Sequence, residues 1–253
     1  MGQHGKYRSL VSLAAALLAP GAVAAECRLA LAIAIDISSS VDPTEDELQR
    51  HGLASALTSA EVVAAALSVP GAPVAVAIYE WSGRWQQILI ADWTLIERAE
   101  DLDRVAGVVA GSARSHDDYP TAMGYALGYG EGLLRRAPEC LFHTIDVAGD
   151  GMNNDGFGPR LTYQNFPFDG ITVNGLVIAE DGPEIVEYYD SQVRYGPGSF
   201  VEIARGFEDF ERAMRRKLER EMSILTIGSA EPAINRYSGS GRSSTVQPDE
   251  ASR

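Results

Sequence analysis

The sequence predicts an α/β fold in which helices pack against a largely parallel sheet. Three observations carry that prediction. Apolar, β-branched runs recur as RLALAIAID, PVAVAIYEW, LFHTIDVAGD and ITVNGLVIA, and they alternate with segments of helical spacing. Such alternation favours parallel strands, because each helical crossover carries the chain back to the same end of the sheet. A further run, WQQILIADW, follows PVAVAIYEW after only the short turn SGR. Those two runs therefore form a hairpin and supply one antiparallel edge strand. No Pro/Ser-rich linker divides residues 26–228, so the elements share the core of one domain.

Residues 1–25 carry Lys6 and Arg8, then LVSLAAALLAPGAVA, and close on the small residues Ala22, Val23, Ala24 and Ala25. That layout is a secretory signal peptide; its apolar part is short and Ala-rich for a membrane span, an uncleaved anchor being the alternative. Glu26 before Cys27 also spoils a lipoprotein-type cleavage site, which needs a small residue there. The expectation is an exported protein, periplasmic or extracellular, with no membrane span after cleavage. Loss of Lys6 and Arg8 moves the formal charge from -14 to -16, which argues against nucleic acid as a partner.

The first strand ends at Asp36. After it, DPTEDELQRHGLASALTSAEVVAAAL has a proline and acids in its first turn and apolar residues at helical spacing, an amphipathic helix or a broken pair. The hairpin follows, then helices over ERAEDLDRVAGVVAG and TAMGYALGYGEGLLRRA, the second with Thr121 as its expected N-cap. Gly124, Gly128 and Gly130 in that helix are expected to ease packing against the sheet. PEIVEYYDSQV reads as helix and YGPGSFVEIA as a turn entering a short strand. The last helix covers FEDFERAMRRKLEREM, where Arg215, Arg216, Lys217 and Arg220 oppose the helix dipole. Residues 229–253 are an expected disordered tail, because SGSGRSSTVQPDEASR has almost nothing to bury.

Chemistry concentrates where strands end. In IAIDISSSVD, an apolar strand stops abruptly in Asp36, Ser38 and Ser40, three hard oxygen donors at alternate positions. Such donors suit magnesium, manganese or calcium. Matching oxygens occur at Thr121, in DDYPTAMGYAL, and at Asp150, in TIDVAGDGMNND. A plainer reading stands beside this one: Ser38 and Ser40 cap the helix beginning near Pro43, and Thr121 caps its own. GMNNDG lacks the alternate spacing and closing glutamate of an EF-hand and reads as a turn, with Asn153 and Asn154 behind the oxygens. His116, Asp117, Asp118 and Tyr119 precede Thr121 on the same rim, as a solvated polar loop or as ligand contacts.

The ordered set D-x-S-x-S, T-x-x-G-x-A-L and a later Asp-Gly resembles a von Willebrand factor A domain with a metal-ion-dependent adhesion site, over about residues 28–222. It is also similar to a group of secreted bacterial proteins of this fold known as a domain of unknown function, in which the GDG-x-NN form of the third motif is typical. The resemblance implies a doubly wound sheet of order 3-2-1-4-5-6, with a cation at the carboxyl ends of strands one and four, the usual ligand crevice of open parallel sheets. It implies that Ser38, Ser40 and Thr121 bind the cation through hydroxyls, and Asp36 and Asp150 directly or through water. The open position then takes a carboxylate from a protein or peptide partner. Magnesium suits this set, and manganese or calcium can substitute.

The same resemblance places the first and fourth strands side by side. Cys27 lies nine residues before Asp36 and Cys140 ten before Asp150, which implies a Cys27–Cys140 disulfide; two buried free cysteines are the alternative. The leading function is thus an exported adhesion-type module, non-enzymatic, holding an acidic group through a divalent cation. Tyr79, Trp81, Trp85 and Tyr119 are candidate rim aromatics. A metal-stabilised scaffold is the alternative, and a metal-dependent hydrolase a weaker one, since the chain has no D-x-D, G-x-S-x-G or H-E-x-x-H at the required places. SSSVDP after the first strand, in place of G-x-G-x-x-G, excludes a dinucleotide site.

Overall fold

Leu29, Leu31, Ile33 and Ile35 alternate with Ala30, Ala32 and Ala34 along strand β1 (Cys27–Asp36), and every one of these side chains is buried. Period-two alternation sends the two sets to opposite faces, so β1 is the centre of a sheet covered on both sides. The computed structural model describes residues 27–180 and 182–224. The leader expected over 1–25 and the tail expected over 229–253 lie outside the described residues.

Six strands form the sheet: β1, β2 (Val74–Trp81), β3 (Gln87–Ile96), β4 (Cys140–Gly149), β5 (Ile171–Ile178) and β6 (Val201–Ala204). Their order is β3-β2-β1-β4-β5-β6. β3 runs antiparallel to β2, and the other neighbours are parallel. This is the doubly wound order expected from the resemblance.

The large side chains of β1 face helices α1 (Pro43–Leu57), α2 (Ala60–Ala66), α3 (Ala99–Ala110) and α7 (Phe210–Ile224), through Leu53, Val62, Leu102 and Leu218. The alanine face, with Ala75 and Ala77 of β2, packs on α4 (Met123–Leu134), α5 (Pro159–Asn165) and α6 (Pro183–Tyr188). Small strand residues there leave room for Tyr79, Trp81 and Phe168 within the second core. Among the described residues no helix is long and apolar enough to cross a membrane.

Of the two readings of the segment after β1, the structure has the broken pair: α1 is closed by Thr58, and Ser59 caps α2 by accepting from Val62 N–H. Other local expectations change. The 183–193 segment begins as α6 and then widens into a π-helical turn over Tyr189–Val193. α5 falls in a stretch with no helical pattern; Pro159 opens it and Thr162 ties it to α4 by donating to the Gly124 carbonyl. Of Gly124, Gly128 and Gly130 in α4, only Gly130 meets the sheet: a Cβ there would lie 2.6 Å from the Tyr79 hydroxyl. Gly124 instead admits the Phe157 carbonyl, 2.1 Å from where a Cβ would stand, and Gly128 faces Phe166.

The cationic residues of α7 do not act as one solvated cluster. Arg216 pairs with Glu202 at 2.6 Å, and Arg220 stacks on Phe200 with its guanidinium carbon 3.7 Å from the ring centroid. Lys217 is fully buried between Asp146 of β4 (2.5 Å) and Glu221 (2.7 Å). At the end of the sheet opposite Asp36, Cys27 and Cys140 are register partners joined by a disulfide, with a Cα–Cα separation of 4.5 Å.

Candidate functional site

The site lies where β1 and β4 end. Ile37 N–H makes the last bond of β1 to β2, to the Trp81 carbonyl at 2.8 Å, and the chain then leaves the ladder. Asp36 Oδ1 accepts from Ser38 N–H at 2.7 Å, a tight turn that brings the next two serines back over the strand end. Gln49 of α1 donates to the Asp36 carbonyl at 3.0 Å. Asp36 and Ser38 are fully buried, whereas Ser40 is exposed.

The five oxygen donors singled out in the sequence converge. Ser38 Oγ lies 3.2 Å from Ser40 Oγ and accepts from Thr121 Oγ1 at 3.2 Å. Ser40 Oγ donates to Asp150 Oδ1 at 2.8 Å. Neither capping reading survives. The N-cap of α1 is Asp42, in a capping box with Glu45, and that of α4 is Ala122, with no side-chain cap. Thr121 stands one residue outside its helix, and the serine hydroxyls bond to one another, to Thr121 and to Asp150 instead of to α1.

A second layer positions these groups. Asn154 Oδ1 accepts from Thr121 N–H at 2.9 Å, and the Thr121 carbonyl accepts from Asn154 N–H at 3.0 Å. Asn153 Oδ1 accepts from Gly124 N–H at 3.4 Å and its own N–H donates to Tyr188 OH at 3.3 Å. The GMNND turn thus clamps the start of α4 to the end of β4. Arg114, which sequence reasoning passed over, holds the other side: its guanidinium donates to the carbonyls of Ile37, Ser38, Val41 and His116 at 2.5–3.0 Å. Bonds to backbone carbonyls leave no residue pattern, so this role has no signal in one sequence. Buried Arg50 adds a brace, bonding Asp46, Glu80 and Ser112, while Glu80 accepts from Ser115 N–H.

The rim residues divide. His116 and Tyr119 stack loosely, with ring centroids 5.5 Å apart, and the Tyr119 carbonyl accepts from Ser39 N–H. Asp117 pairs with Arg114 at 3.2 Å and is largely exposed. Asp118 turns the loop with φ of 59°, a left-handed value that Asp tolerates better than most residues. Trp85 is 80% exposed and Tyr119 39%, whereas Tyr79 and Trp81 are wholly buried and belong to the core. Beside Ser40 and Asp150 opens a cleft of about 410 Å³, walled by Glu45, Glu180 and Glu184 and by apolar Met152, Ile185 and Phe207.

The electrostatics mark a place short of positive charge. Burial, and next the Asp150 carboxylate, push the Asp36 carboxyl up to about 8, against the pull of Ser38 and Arg114. Asp36 Oδ2 is buried and makes no hydrogen bond among the described residues. An orphaned buried carboxylate oxygen is costly unless something pairs with it. Among the described residues no group of three or more His, Cys, Asp or Glu side chains is arranged to hold a metal. The donor set here is two carboxylates and three hydroxyls, which fits a hard divalent cation in kind.

Comparison with known proteins agrees with this architecture. The family described as "Protein of unknown function (DUF1194)" matches residues 26–226. No curated protein matches in sequence. A von Willebrand factor type A protein from Catenulispora acidiphila superposes with a TM-score of 0.53 at 15% identity, over 79% of this chain and 43% of that one. Proximal thread matrix protein 1 from the mussel byssus, with a zinc-occupied MIDAS motif, gives 0.56 at 13% identity, over 78% and 46%. The PilB minor pilin from Streptococcus sanguinis gives 0.58 at 12% identity, over 83% and 65%. This chain spans less than half the length of the first two, and at these identities the likeness establishes the fold.

Proposed function

The chain belongs to the family described as protein of unknown function DUF1194 and has the von Willebrand factor A fold; from that premise we propose that it is an exported, metal-dependent protein-binding module. Asp36, Ser38, Ser40, Thr121 and Asp150 hold a divalent cation, magnesium by preference with manganese or calcium as substitutes. The cation supplies the attraction for a carboxylate on a protein or peptide partner. The observation that carries the reading is the meeting of Ser38, Ser40, Thr121 and Asp150, from three separate chain segments, at the turn held by Asp36, whose buried Oδ2 makes no hydrogen bond among the described residues.

The chain's own residues do the rest. Arg114 and Gln49 hold the Asp36–Val41 turn through its carbonyls, and Asn154 holds Thr121, so the donors are set before a cation arrives. The acids of the neighbouring cleft repel a bare carboxylate. Recognition therefore rests on a short-range contact, and the partner's acid is flanked by apolar or basic groups that suit Met152, Ile185 and the three glutamates. Export agrees with the disulfide and with the minor pilin and byssal matrix protein that share the fold. A non-enzymatic role is in keeping with the byssal matrix protein and the minor pilin that share the fold.

The test is thermal unfolding in chelator and then in magnesium, manganese or calcium. A native-state ligand at a hundred times its Kd adds about 2.7 kcal/mol. That gain is expected in the wild-type protein and absent from Asp36→Ala and Asp150→Ala. Equal midpoints for all three proteins in chelator and in millimolar metal would sink the reading.

A further inference from the structure

The π-helical turn Tyr189–Val193 ends the helix α6, whose last residue Tyr188 bonds Asn153 behind the candidate cation site. Tyr189 opens that turn. It is wholly buried, yet its hydroxyl makes no hydrogen bond among the described residues. Neighbouring Tyr188 and Tyr163 do use theirs: Tyr188 OH accepts from Asn153 N–H, and Tyr163 OH donates to the Val193 carbonyl.

Two glycines in mid-sheet make room for the Tyr189 ring. A Cβ at Gly175 of β5 would lie 2.7 Å from ring atom Cδ1. A Cβ at Gly149, the last residue of β4, would lie 2.7 Å from the Tyr189 hydroxyl and also 2.7 Å from Asp36 Oδ2. Glycine weakens a strand and marks a close approach. Here both glycines serve one ring, laid across β5 and β4 with its hydroxyl directed at the end of β1. Because the hydroxyl and Asp36 Oδ2 flank the same point, no more than twice that distance separates them, within the reach of a direct bond after a small rotation or of one bridging water. Both oxygens, like Gln49 Oε1, are buried without a hydrogen bond among the described residues, and each of the two has the chemistry the other lacks: phenol donates, carboxylate accepts.

We propose that Tyr189 is a positioning residue of the cation site, its hydroxyl donating to Asp36 Oδ2, directly or through one buried water, and thereby fixing how the Asp36 carboxylate faces the metal. The assignment rests on the metal-binding reading above. Carboxylates near a bound metal are themselves held by hydrogen bonds, and losing such an outer partner typically weakens affinity by about 10- to 100-fold. An idle phenol predicts the opposite, since removing a buried unpaired hydroxyl is neutral or stabilising.

The experiment titrates Mn2+ into the wild-type protein and Tyr189→Phe, reading free Mn2+ by electron paramagnetic resonance, with magnesium as competitor. Thermal midpoints of both proteins in chelator accompany it. The expected result is Mn2+ affinity lower by about 10-fold or more in Tyr189→Phe, with a chelator midpoint below that of the wild type, because Asp36 Oδ2 loses its donor. Equal Mn2+ affinity in the two proteins overturns the role of Tyr189 while leaving the cation site standing. Absence of Mn2+ binding by the wild type overturns the site itself, and this inference with it.

Discussion

Lys217→Met is expected to destabilise the protein by about 3–5 kcal/mol, the cost of stripping the counterion from buried carboxylates. Lys217, Asp146 and Glu221 are each at most 5% exposed, and Lys217 is the cation between two acids. Asn174 completes the group by donating to Glu221 at 2.7 Å while accepting from Phe200 N–H. The cluster ties β4, β5 and α7 together, so its failure is expected to be global. Urea unfolding measures the loss. Adding Asp146→Asn and Glu221→Gln to Lys217→Met should restore much of the stability, because the stranded charges disappear; no recovery would show that packing around Lys217, and not charge, is what matters.

The same cluster sets a pH dependence. Burial, and then the Glu221 carboxylate, raise Asp146 from the ordinary 3.8 to about 7, with Lys217 pulling the other way. Across that interval the folded protein retains a proton that the unfolded chain has released. Stability is therefore expected to fall as pH rises from about 4 towards 7, and this contribution to level off above it. Asp146→Asn should flatten that slope, measured by denaturant midpoints across the range. A slope unchanged in the variant would assign the effect to another group.

Loss of the disulfide is the second large effect. Cys27 and Cys140 stand 113 residues apart in sequence and close a loop containing four helices and two strands. In the chain-entropy view such a crosslink contributes about 3–5 kcal/mol by restricting the unfolded chain. The double variant Cys27→Ser/Cys140→Ser should unfold at correspondingly lower urea, and reductant should bring the wild type to the same midpoint. Coincident midpoints for oxidised wild type and double variant would contradict it. Both sulfurs lie at the starts of β1 and β4, away from the cation site, so metal-induced stabilisation should persist in the variant.

The strand runs, the hairpin and most helices were legible in the sequence because burial on one or both faces imposes a period that a single chain records. β1 is the clearest case: its Leu/Ile and Ala sets go to opposite faces as its alternation requires. The ordered Asp, Ser and Thr motifs were legible too, since strand ends at a topological switch point carry recognisable polar residues. α5 was not, because PRLTYQN buries only Pro159 and Thr162 and so carries no apolar stripe at helical spacing. Thr121 was read as an N-cap because it precedes a helical pattern, yet its hydroxyl bonds to Ser38, 83 residues away. Lys217 was read with its cationic neighbours, and only the packing of α7 on β4 shows that it is buried.

The sequence by itself determined the α/β class, the hairpin edge, the strand ends that carry oxygen donors and, through family resemblance, the strand order and the cysteine pairing. Each of these is written in local period, spacing or motif. The tertiary structure alone decided that the donors meet, that Arg114 and Asn154 hold them, that Tyr79 and Trp81 are core and not rim, and that the Tyr189 hydroxyl and Asp36 Oδ2 both border Gly149. Those facts depend on contacts between residues far apart in the chain and often on bonds to backbone atoms, which every residue possesses and no residue type announces.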